Sequence, residues 1–359
     1  MKTKISAEIV AHSINEQGDE LISVLATFPR IILAEVNTHR MLSKNTSSSR
    51  AIPFAKMVDT IQNDPFIPIA WQKPHSGMQG SEYATDVVDI AANVSTWLHG
   101  RDRAIATAWG LNEGVTKQLC NRLLEPFMWT TMLITGPKSG WDNFFNLRCP
   151  SYEVVPNAED PLMSFRSKQE IFEISDGQFD DWTELDWLKV NKGQAEIHIM
   201  ALAECIWDAY NESDPKVLTP GEWHIPFSDK IQRFANIPLN GQTSSEELES
   251  NILINKVKVS VAMAARTSYT VVGEEKGIDI EAMVALHDRL LAQDPPHSSP
   301  LEHCAQAMSK EERFHFTKTR PAFTEEEKNK GNEVADFGWC NNLKGFIPYR
   351  YIIDNSLSL

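Results

Sequence analysis

Residues 38–50 of the chain read THRMLSKNTSSSR, and this run is the most informative stretch of the sequence. A His-Arg pair opens it, hydroxyl and amide side chains fill its middle, and Arg50 ends it between two apolar flanks. Arginine offers a planar fork for two parallel hydrogen bonds to a phosphate, and small residues let backbone N–H groups approach the oxygens. The run therefore predicts a phosphate-binding segment, with a Ser-rich surface turn as the alternative from composition alone.

The order of residues in this run resembles the signature of the flavin-dependent thymidylate synthases, which is Arg-His-Arg, a short spacer and Ser, with an internal Asn and a terminal Arg. The positions that match this pattern are His39, Arg40, Ser43, Asn45, Ser48 and Arg50. Two positions depart from it. Thr38 stands where the family has its first Arg, and Thr46 stands where a Glu usually follows the Asn.

Two further blocks resemble the same family. WDNFFNLR at 141–148 is similar to its Asn-x-x-x-Leu-Arg segment, and GQAEI at 193–197 is similar to the element that normally follows closely, so 149–192 reads as an insertion. RTSY at 266–269 and HSSPLEH at 297–303 are similar to elements that precede the signature in most members. Their position after the signature implies a circularly permuted order, which is associated with phage-encoded members.

The resemblance implies an α+β fold of the flavin-dependent thymidylate synthase type, with mixed helices, an antiparallel sheet and a permuted order. We expect one unit over 1–359, with the insertion at 149–192 and a segment at 256–359 that completes an FAD site. Residues 5–28 alternate as two strands about a turn at 15–18. Apolar spacing and charge predict further elements, which are helices over 30–42, 83–98, 113–134, 199–210 and 280–291 and a solvated loop over 324–335.

Composition limits the classes of function. The 359 residues are 42% hydrophobic and 23% charged, as in a globular protein, and the net charge of −15 argues against a general nucleic-acid binder. A single nucleotide needs only a local basic pocket. The N-terminus lacks a signal-like apolar region, and no apolar run approaches the roughly 20 residues of a membrane span. Five widely spaced cysteines indicate reduced thiols and a cytoplasmic protein, in the host cytoplasm if phage-encoded.

The resemblance also implies the ligands and the residues that bind them. The substrate is dUMP, FAD and NADPH are cofactors, methylenetetrahydrofolate is the co-substrate, and a homotetramer shares its active sites. The implied substrate contacts are Glu35, Ser47, Ser48, Arg50, Lys117 and Arg148, with Ser48 and Arg148 as catalytic residues. The implied FAD contacts are His39, Arg40, Asn45, Asn143, Ser268, His297, Ser299 and Glu302. We expect no metal site, because the spacing of the last histidines is not that of a zinc helix.

Several alternatives remain open from the sequence. The chain could instead hydroxymethylate dUMP or act on dCMP, or it could bind flavin or nucleotide without catalysis. Glu35 replaces a Gln that the resemblance leads us to expect beside the base, and a carboxylate, which only accepts hydrogen bonds, suits the amino group of cytosine. As structural alternatives, Glu35 pairs with Arg30 or Arg40, Arg148 forms a surface ion pair, and Asn143 caps a helix.

Overall fold

The computed structural model describes residues 4–76, 80–232, 245–269 and 279–355. The strands in chain order are β1 (Ser6–Asn15), β2 (Glu20–Pro29), β3 (Ser43–Thr46), β4 (Trp129–Pro137), β5 (Tyr152–Val154), β6 (Met163–Phe165), β7 (Lys216–Leu218), β8 (Trp223–His224), β9 (Ala305–Ala307), β10 (Thr317–Pro321), β11 (Glu333–Phe337), β12 (Trp339–Cys340), β13 (Leu343–Lys344) and β14 (Phe346–Pro348).

The α-helices in chain order are α1 (Leu33–Asn37), α2 (Phe54–Asn63), α3 (Val87–Asn112), α4 (Lys117–Arg122), α5 (Lys138–Arg148), α6 (Lys168–Ile174), α7 (Glu184–Val190), α8 (Ile197–Asn211), α9 (Ser228–Gln232), α10 (Ser245–Arg266), α11 (Ile280–Leu291), α12 (Lys310–His315), α13 (Glu325–Lys330) and α14 (Tyr349–Asp354). Short 3-10 turns lie at Arg30–Ile32, Glu125–Phe127 and Ser299–Glu302.

A five-stranded sheet in the order β3-β4-β2-β1-β7 forms the centre of the fold. Its neighbouring strands are antiparallel except for β1 and β7, which run parallel. The predicted hairpin of β1 and β2 is confirmed. Its turn is closed by Asn15, whose Oδ1 accepts from the backbone N–H of Gln17 over 3.0 Å and of Asp19 over 2.9 Å. Gly18, at φ +81°, takes the left-handed position that favours glycine.

The two faces of the sheet are covered by different parts of the chain. Successive side chains of a strand point to opposite faces, and the even-numbered residues of β2 from Ile22 to Phe28 pack in one core with Trp141 of α5 and Ile199 of α8. Leu25 of the same strand packs on the other face, in a core that includes Ala262 of α10. The C-terminal third of the chain therefore covers one face of the sheet, and α5 with α8 covers the other.

The insertion 149–192 has a small aromatic core of its own, which contains Tyr152, Phe179 and Trp187. It is tied to α8 through Glu204, whose carboxylate accepts from the Tyr152 hydroxyl over 3.0 Å and from the backbone N–H of Lys168 over 2.8 Å. Burial is the main cause that raises the pKa of Glu204. The insertion is thus anchored on the layer that carries α5.

The predicted mixture of helices with an antiparallel sheet is what the structure shows, while the family fold and its permutation stay predictions. The helices predicted over 199–210 and 280–291 correspond to α8 and α11. The helix predicted from residue 83 begins at Val87, after an N-cap at Asp86 whose side chain accepts from two backbone N–H groups, and continues to Asn112.

Three predicted elements are wrong. The helix over 30–42 is a 3-10 turn followed by the short α1, because residues 43–46 form β3 on the free edge of β4. The helix over 113–134 stops at α4, since Pro126 cannot continue a helix and the next residues form β4. The loop over 324–335 contains α13, which a Thr324–Glu327 capping box begins, and much of β11.

Candidate functional site

His39 lies buried in the turn between α1 and β3, against the end of α5. Its ring meets Phe144 edge-on, with 4.9 Å between ring centroids. The Nε–H of Arg148, the last residue of α5, donates to His39 Nε2 over 3.1 Å, so the ring is neutral with its proton on Nδ1. Burial, together with the positive charges of Arg148 and Lys44, lowers the pKa of His39 to about 4. His39 therefore stays neutral at neutral pH.

Arg148 joins the first and second blocks of the resemblance. Its second hydrogen bond goes to Thr38 Oγ1 over 3.4 Å, and the Thr38 hydroxyl donates to the carbonyl of Glu35 over 2.6 Å. Within the described ranges Arg148 pairs with no carboxylate, so the alternative of a surface ion pair is wrong. The guanidinium is held by neutral acceptors only.

Lys44 is a site residue that the sequence reasoning missed. It lies in β3, where Ser43 and Asn45 are buried and Lys44 is half-buried on the opposite side. Its ammonium donates to the carbonyl of His39 and, over 3.1 Å, to that of Leu42. Burial lowers the pKa of Lys44 to about 8. The one signal in the sequence was a lysine in the middle of the run.

Glu35 keeps an unsatisfied carboxylate oxygen. Its Oε2 is shielded from solvent and has no hydrogen-bond partner among the residues that the structure describes. Arg30 pairs instead with Glu125 over 3.2 Å and donates to the carbonyl of Ser47 over 2.8 Å. The alternative of an ion pair with Arg30 is therefore wrong, and in the same part of the chain no ion pair joins Glu35 to Arg40. Glu35 remains available to a ligand.

Two of the serines in the run are structural. Ser47 is buried, and its Oγ hydrogen-bonds with Thr130 Oγ1 over 2.6 Å. Ser49 is buried as well, and its Oγ donates to Glu125 over 2.6 Å. These hydroxyls fasten the run to β4 and to the turn before it. The substrate contact predicted for Ser47 stays a prediction, and its hydroxyl already has a partner inside the protein.

Ser48 and Arg50 lie just beyond the far end of β3, in a turn over residues 48–51 that we call the anion turn. The backbone N–H of Arg50 donates to Ser48 Oγ over 3.3 Å. Lys117, the first residue of α4, reaches the same turn, where its Nζ donates to the carbonyl of Ala51 over 3.3 Å. Both cations are exposed and, in the described part of the chain, neither has an acidic partner.

The third block meets the first at the end of α10. Asn45 Nδ2 donates to the carbonyl of Ala264 over 3.2 Å, and the Thr267 hydroxyl contacts the carbonyl of Asn45 over 3.4 Å. The backbone N–H of Ser48 donates to the carbonyl of Ser268 over 2.7 Å. Ser268 thus supports the anion turn through its backbone.

A cavity of 380 Å³ opens at the Ser43 end of β3. Its polar lining consists of Ser43, Glu302, Asn341, Asn342, Arg350 and Asp354. Asn342 connects it to the signature run, because its Nδ2 donates to the carbonyl of Arg40 over 3.2 Å. Arg350 pairs with Glu302, and its Nε lies 3.5 Å from Asp354 Oδ2. Two carboxylates against one guanidinium favour an uncharged, hydroxyl-bearing part of a ligand over a phosphate.

The lining of this cavity does not include Asn143, His297 or Ser299. Asn143 is exposed on α5 and does not cap it, since the helix begins after Pro137. His297 is exposed before the 3-10 turn that contains Ser299 and Glu302. The described part of one chain therefore does not gather all the predicted FAD residues in one cavity.

The strand β3 separates the anion turn from the cavity and the His39 cluster. From Ser43 to Ser47 the chain runs extended, which at about 3.3 Å per residue makes roughly 13 Å. Within the described ranges no group of three or more His, Cys, Asp or Glu could hold a metal ion. In those ranges no helix is both long and apolar enough to cross a membrane.

No family model matches the sequence, and no curated protein matches it. Among solved structures, this chain is similar to the UMP/dUMP methylase PolB from Streptomyces cacaoi bound with 5-Br dUMP. The sequence identity is 12% and the TM-score is 0.40, and the match covers 59% of this chain and 91% of that chain. The same enzyme bound with 5-Br UMP gives 13% identity, a TM-score of 0.39 and coverage of 59% and 90%. Likeness at this level assigns neither a fold nor a function.

Proposed function

We propose that this chain is an enzyme that modifies a pyrimidine deoxynucleotide, with dUMP as its substrate. The observation that carries the proposal is that three blocks far apart in the sequence meet along β3. Arg148 of the second block donates to His39 of the first, and Ser48 of the first donates to Ser268 of the third. Blocks that carry parts of one motif set and then meet in space support a common site.

The anion turn supplies the donors for the nucleotide phosphate. The planar guanidinium of Arg50 can form two parallel hydrogen bonds to a phosphate, and Lys117, which contacts the carbonyl of Ala51 in the same turn, adds a point charge. In the described residues neither an imidazole nor a carboxylate bonds to Ser48 Oγ. Without such a base the hydroxyl is not activated as a nucleophile, so Ser48 acts as a phosphate ligand.

Arg148 serves the pyrimidine ring in this proposal. It uses its Nε–H and one terminal nitrogen on His39 and Thr38, which leaves further N–H groups of the guanidinium for a ligand. Such donors stabilise negative charge as it develops on a ring oxygen. Neutral His39 holds the guanidinium in place without competing for that charge.

The finer proposal is reductive methylation of dUMP to dTMP, with methylenetetrahydrofolate as the carbon donor, FAD as a bound cofactor and NADPH as the reductant. Bound flavin supplies hydride chemistry. A cysteine nucleophile is disfavoured, because burial raises the pKa of Cys205, Cys304 and Cys340 to about 12 and leaves those thiols protonated.

The residues present fit part of such a cofactor. Ser43 and Glu302 line one cavity, and Asn342 of the same lining donates to the carbonyl of Arg40. The excess of carboxylates in this cavity suits a hydroxyl-bearing portion of the cofactor. Asn45 Oδ1 is buried, and no described residue satisfies it. A homotetramer with shared sites belongs to the proposal, since β3 holds the anion turn and Arg148 at opposite ends within one chain.

A second substrate, dCMP, is favoured by the state of Glu35. Its shielded oxygen has no partner in the described residues, and it lies one helical turn before Thr38, which contacts Arg148. An ionised carboxylate accepts from the amino group of cytosine but repels the O4 atom of uracil. If Glu35 faces the ring, the site prefers cytosine.

Product analysis tests these proposals together. Purified protein should be yellow, and heating should release FAD. Incubation with dUMP or dCMP, methylenetetrahydrofolate and NADPH, followed by mass spectrometry of the nucleotide, distinguishes methyl from hydroxymethyl products on either base. If the purified protein contains flavin but converts neither nucleotide, it binds flavin without catalysing the reaction. A colourless protein that cannot be reconstituted with FAD would remove the flavin proposal.

A further inference from the structure

Two cationic side chains flank His39 without a compensating acid. Lys44 contacts backbone carbonyls, and Arg148 contacts neutral side chains. Glu35, four residues before His39, forms no ion pair within the described ranges. Asp142, on the same helix as Arg148, pairs with Lys138 over 2.7 Å. The surroundings of His39 therefore carry an excess of positive charge in a chain whose net charge is −15.

Both cations are half-buried, which makes the missing counter-charge significant. Burying a charge without a partner is unfavourable. The effect is visible at Lys44, whose pKa burial lowers to about 8, and at His39, whose pKa both cations help to lower. A negative group beside them would reverse both effects. The arrangement has the electrostatics of a site prepared for an anion.

Both side chains also have hydrogen-bond donors to spare. An ammonium has three N–H groups. Lys44 donates two of them to backbone carbonyls, so one N–H group can still bind a ligand. A guanidinium has five N–H groups, and Arg148 uses two nitrogens on His39 and Thr38. Neither residue needs to break an existing contact to bind a ligand.

We propose that Lys44 and Arg148 form a second anion site, which takes a phosphate or carboxylate group of a ligand beside His39. The site is separate from the anion turn, because the length of β3 lies between them. It rests on the contacts around His39 and not on the proposed reaction.

The test measures how fast an amine-reactive acylating reagent modifies Lys44, read by peptide mass spectrometry, with inorganic phosphate or acetate as the probe. Only the unprotonated amine reacts, and a bound anion favours the protonated one. Saturating phosphate should slow the modification about tenfold below pH 8, which corresponds to a rise of one pKa unit. Protection by acetate as well would show that a carboxylate suffices, and protection by phosphate alone would assign the site to phosphate groups.

Variants locate the effect. Arg148→Gln should abolish the protection of Lys44, and Arg50→Ala, in the anion turn, should leave it intact. In calorimetric titration, phosphate binding at this site should weaken at least tenfold in Lys44→Met and persist in Lys44→Arg. Lys73→Met, at an exposed lysine, is the matched control for the loss of one charge. Thermal unfolding of each variant checks that it is folded.

Two results would overturn the proposal. One is a Lys44 reaction rate in the wild-type protein that neither phosphate nor acetate changes, and this experiment needs no variant. The other is protection that disappears in Arg50→Ala and survives in Arg148→Gln, which would assign the anion to the anion turn. By contrast, normal dUMP binding in Arg50→Ala would sink the proposed phosphate contact and leave this second site untouched.

Discussion

Two fully buried histidines should make the protein sensitive to mild acid. His303 hydrogen-bonds with Thr135 Oγ1 over 2.8 Å, and Thr135 with Ser23 over 2.6 Å. Ser23 contacts His224 over 2.8 Å, and His224 contacts Ser13 over 2.9 Å. The chain of contacts crosses from the sheet to the C-terminal segment. Burial, as the largest cause, lowers the pKa of both histidines to about 3.

The sign of the effect follows from where the protons bind. In the unfolded chain each histidine titrates near 6.5, whereas in the folded protein it resists protonation until about pH 3. Between these values the unfolded state binds more protons, so stability falls as the pH falls. At pH 5 the loss is about 2 kcal/mol for each histidine and about 4 kcal/mol for the pair. Domains are stable by only about 5–15 kcal/mol.

Urea unfolding at pH 7 and pH 5, followed by tryptophan fluorescence, measures this loss. His303→Asn offers an amide to Thr135 and cannot titrate, so it should reduce the pH-dependent loss by about half. His99→Asn changes an exposed histidine on α3 and should leave the wild-type pH dependence unchanged. A free energy of unfolding that is equal at the two pH values, or an undiminished loss in His303→Asn, would refute the reasoning.

Three further predictions concern ligands. Arg50→Ala should weaken dUMP binding, measured by calorimetry, by about 2–3 kcal/mol through the loss of a charge-assisted hydrogen bond. The flavin content of the variant, measured by its absorbance, should be nearly unchanged, and normal dUMP binding would contradict the proposed role of the anion turn. Glu35→Gln should raise the preference for dUMP over dCMP about tenfold, or about 1.4 kcal/mol, and an unchanged ratio of affinities removes Glu35 from the base pocket. Glu302→Ala should lower FAD retention on desalting, while Glu325→Ala, on exposed α13, should not; equal retention would argue against the cavity.

Elements with a clear period were predictable from the sequence. The hairpin of β1 and β2 follows from alternation of period two, and α8 and α11 follow from helical spacing. The prediction of a helix over 113–134 was wrong because an apolar run is compatible with a buried strand as well as with a helix. Pro126 and the β-branched residues that follow it were the available signals for a break and a strand.

Most of the site's surroundings could not be predicted, because they depend on contacts between distant parts of the chain. Ser43–Thr46 becomes a strand only where β4, more than eighty residues later, offers a free edge. Asn342 reaches the carbonyl of Arg40 from almost the end of the chain. Neither residue pair has a local signal. The motif blocks could be recognised in the sequence, because each carries its own residue order, and the roles they imply stay predictions.

The polar character of β3 links the stability of the fold to the site. A strand with Ser43 and Asn45 on its buried side, followed directly by buried Ser47, is unfavourable unless each polar group finds a partner. Ser47 finds Thr130, and Asn45 finds the carbonyl of Ala264. Among the described residues, the Ser43 side chain has no such bond and lines the cavity, and one oxygen of Asn45 has no partner. The start of the run therefore forms a strand, and the proposed function assigns the hydrogen bonds that remain unmet in the described residues to a bound ligand.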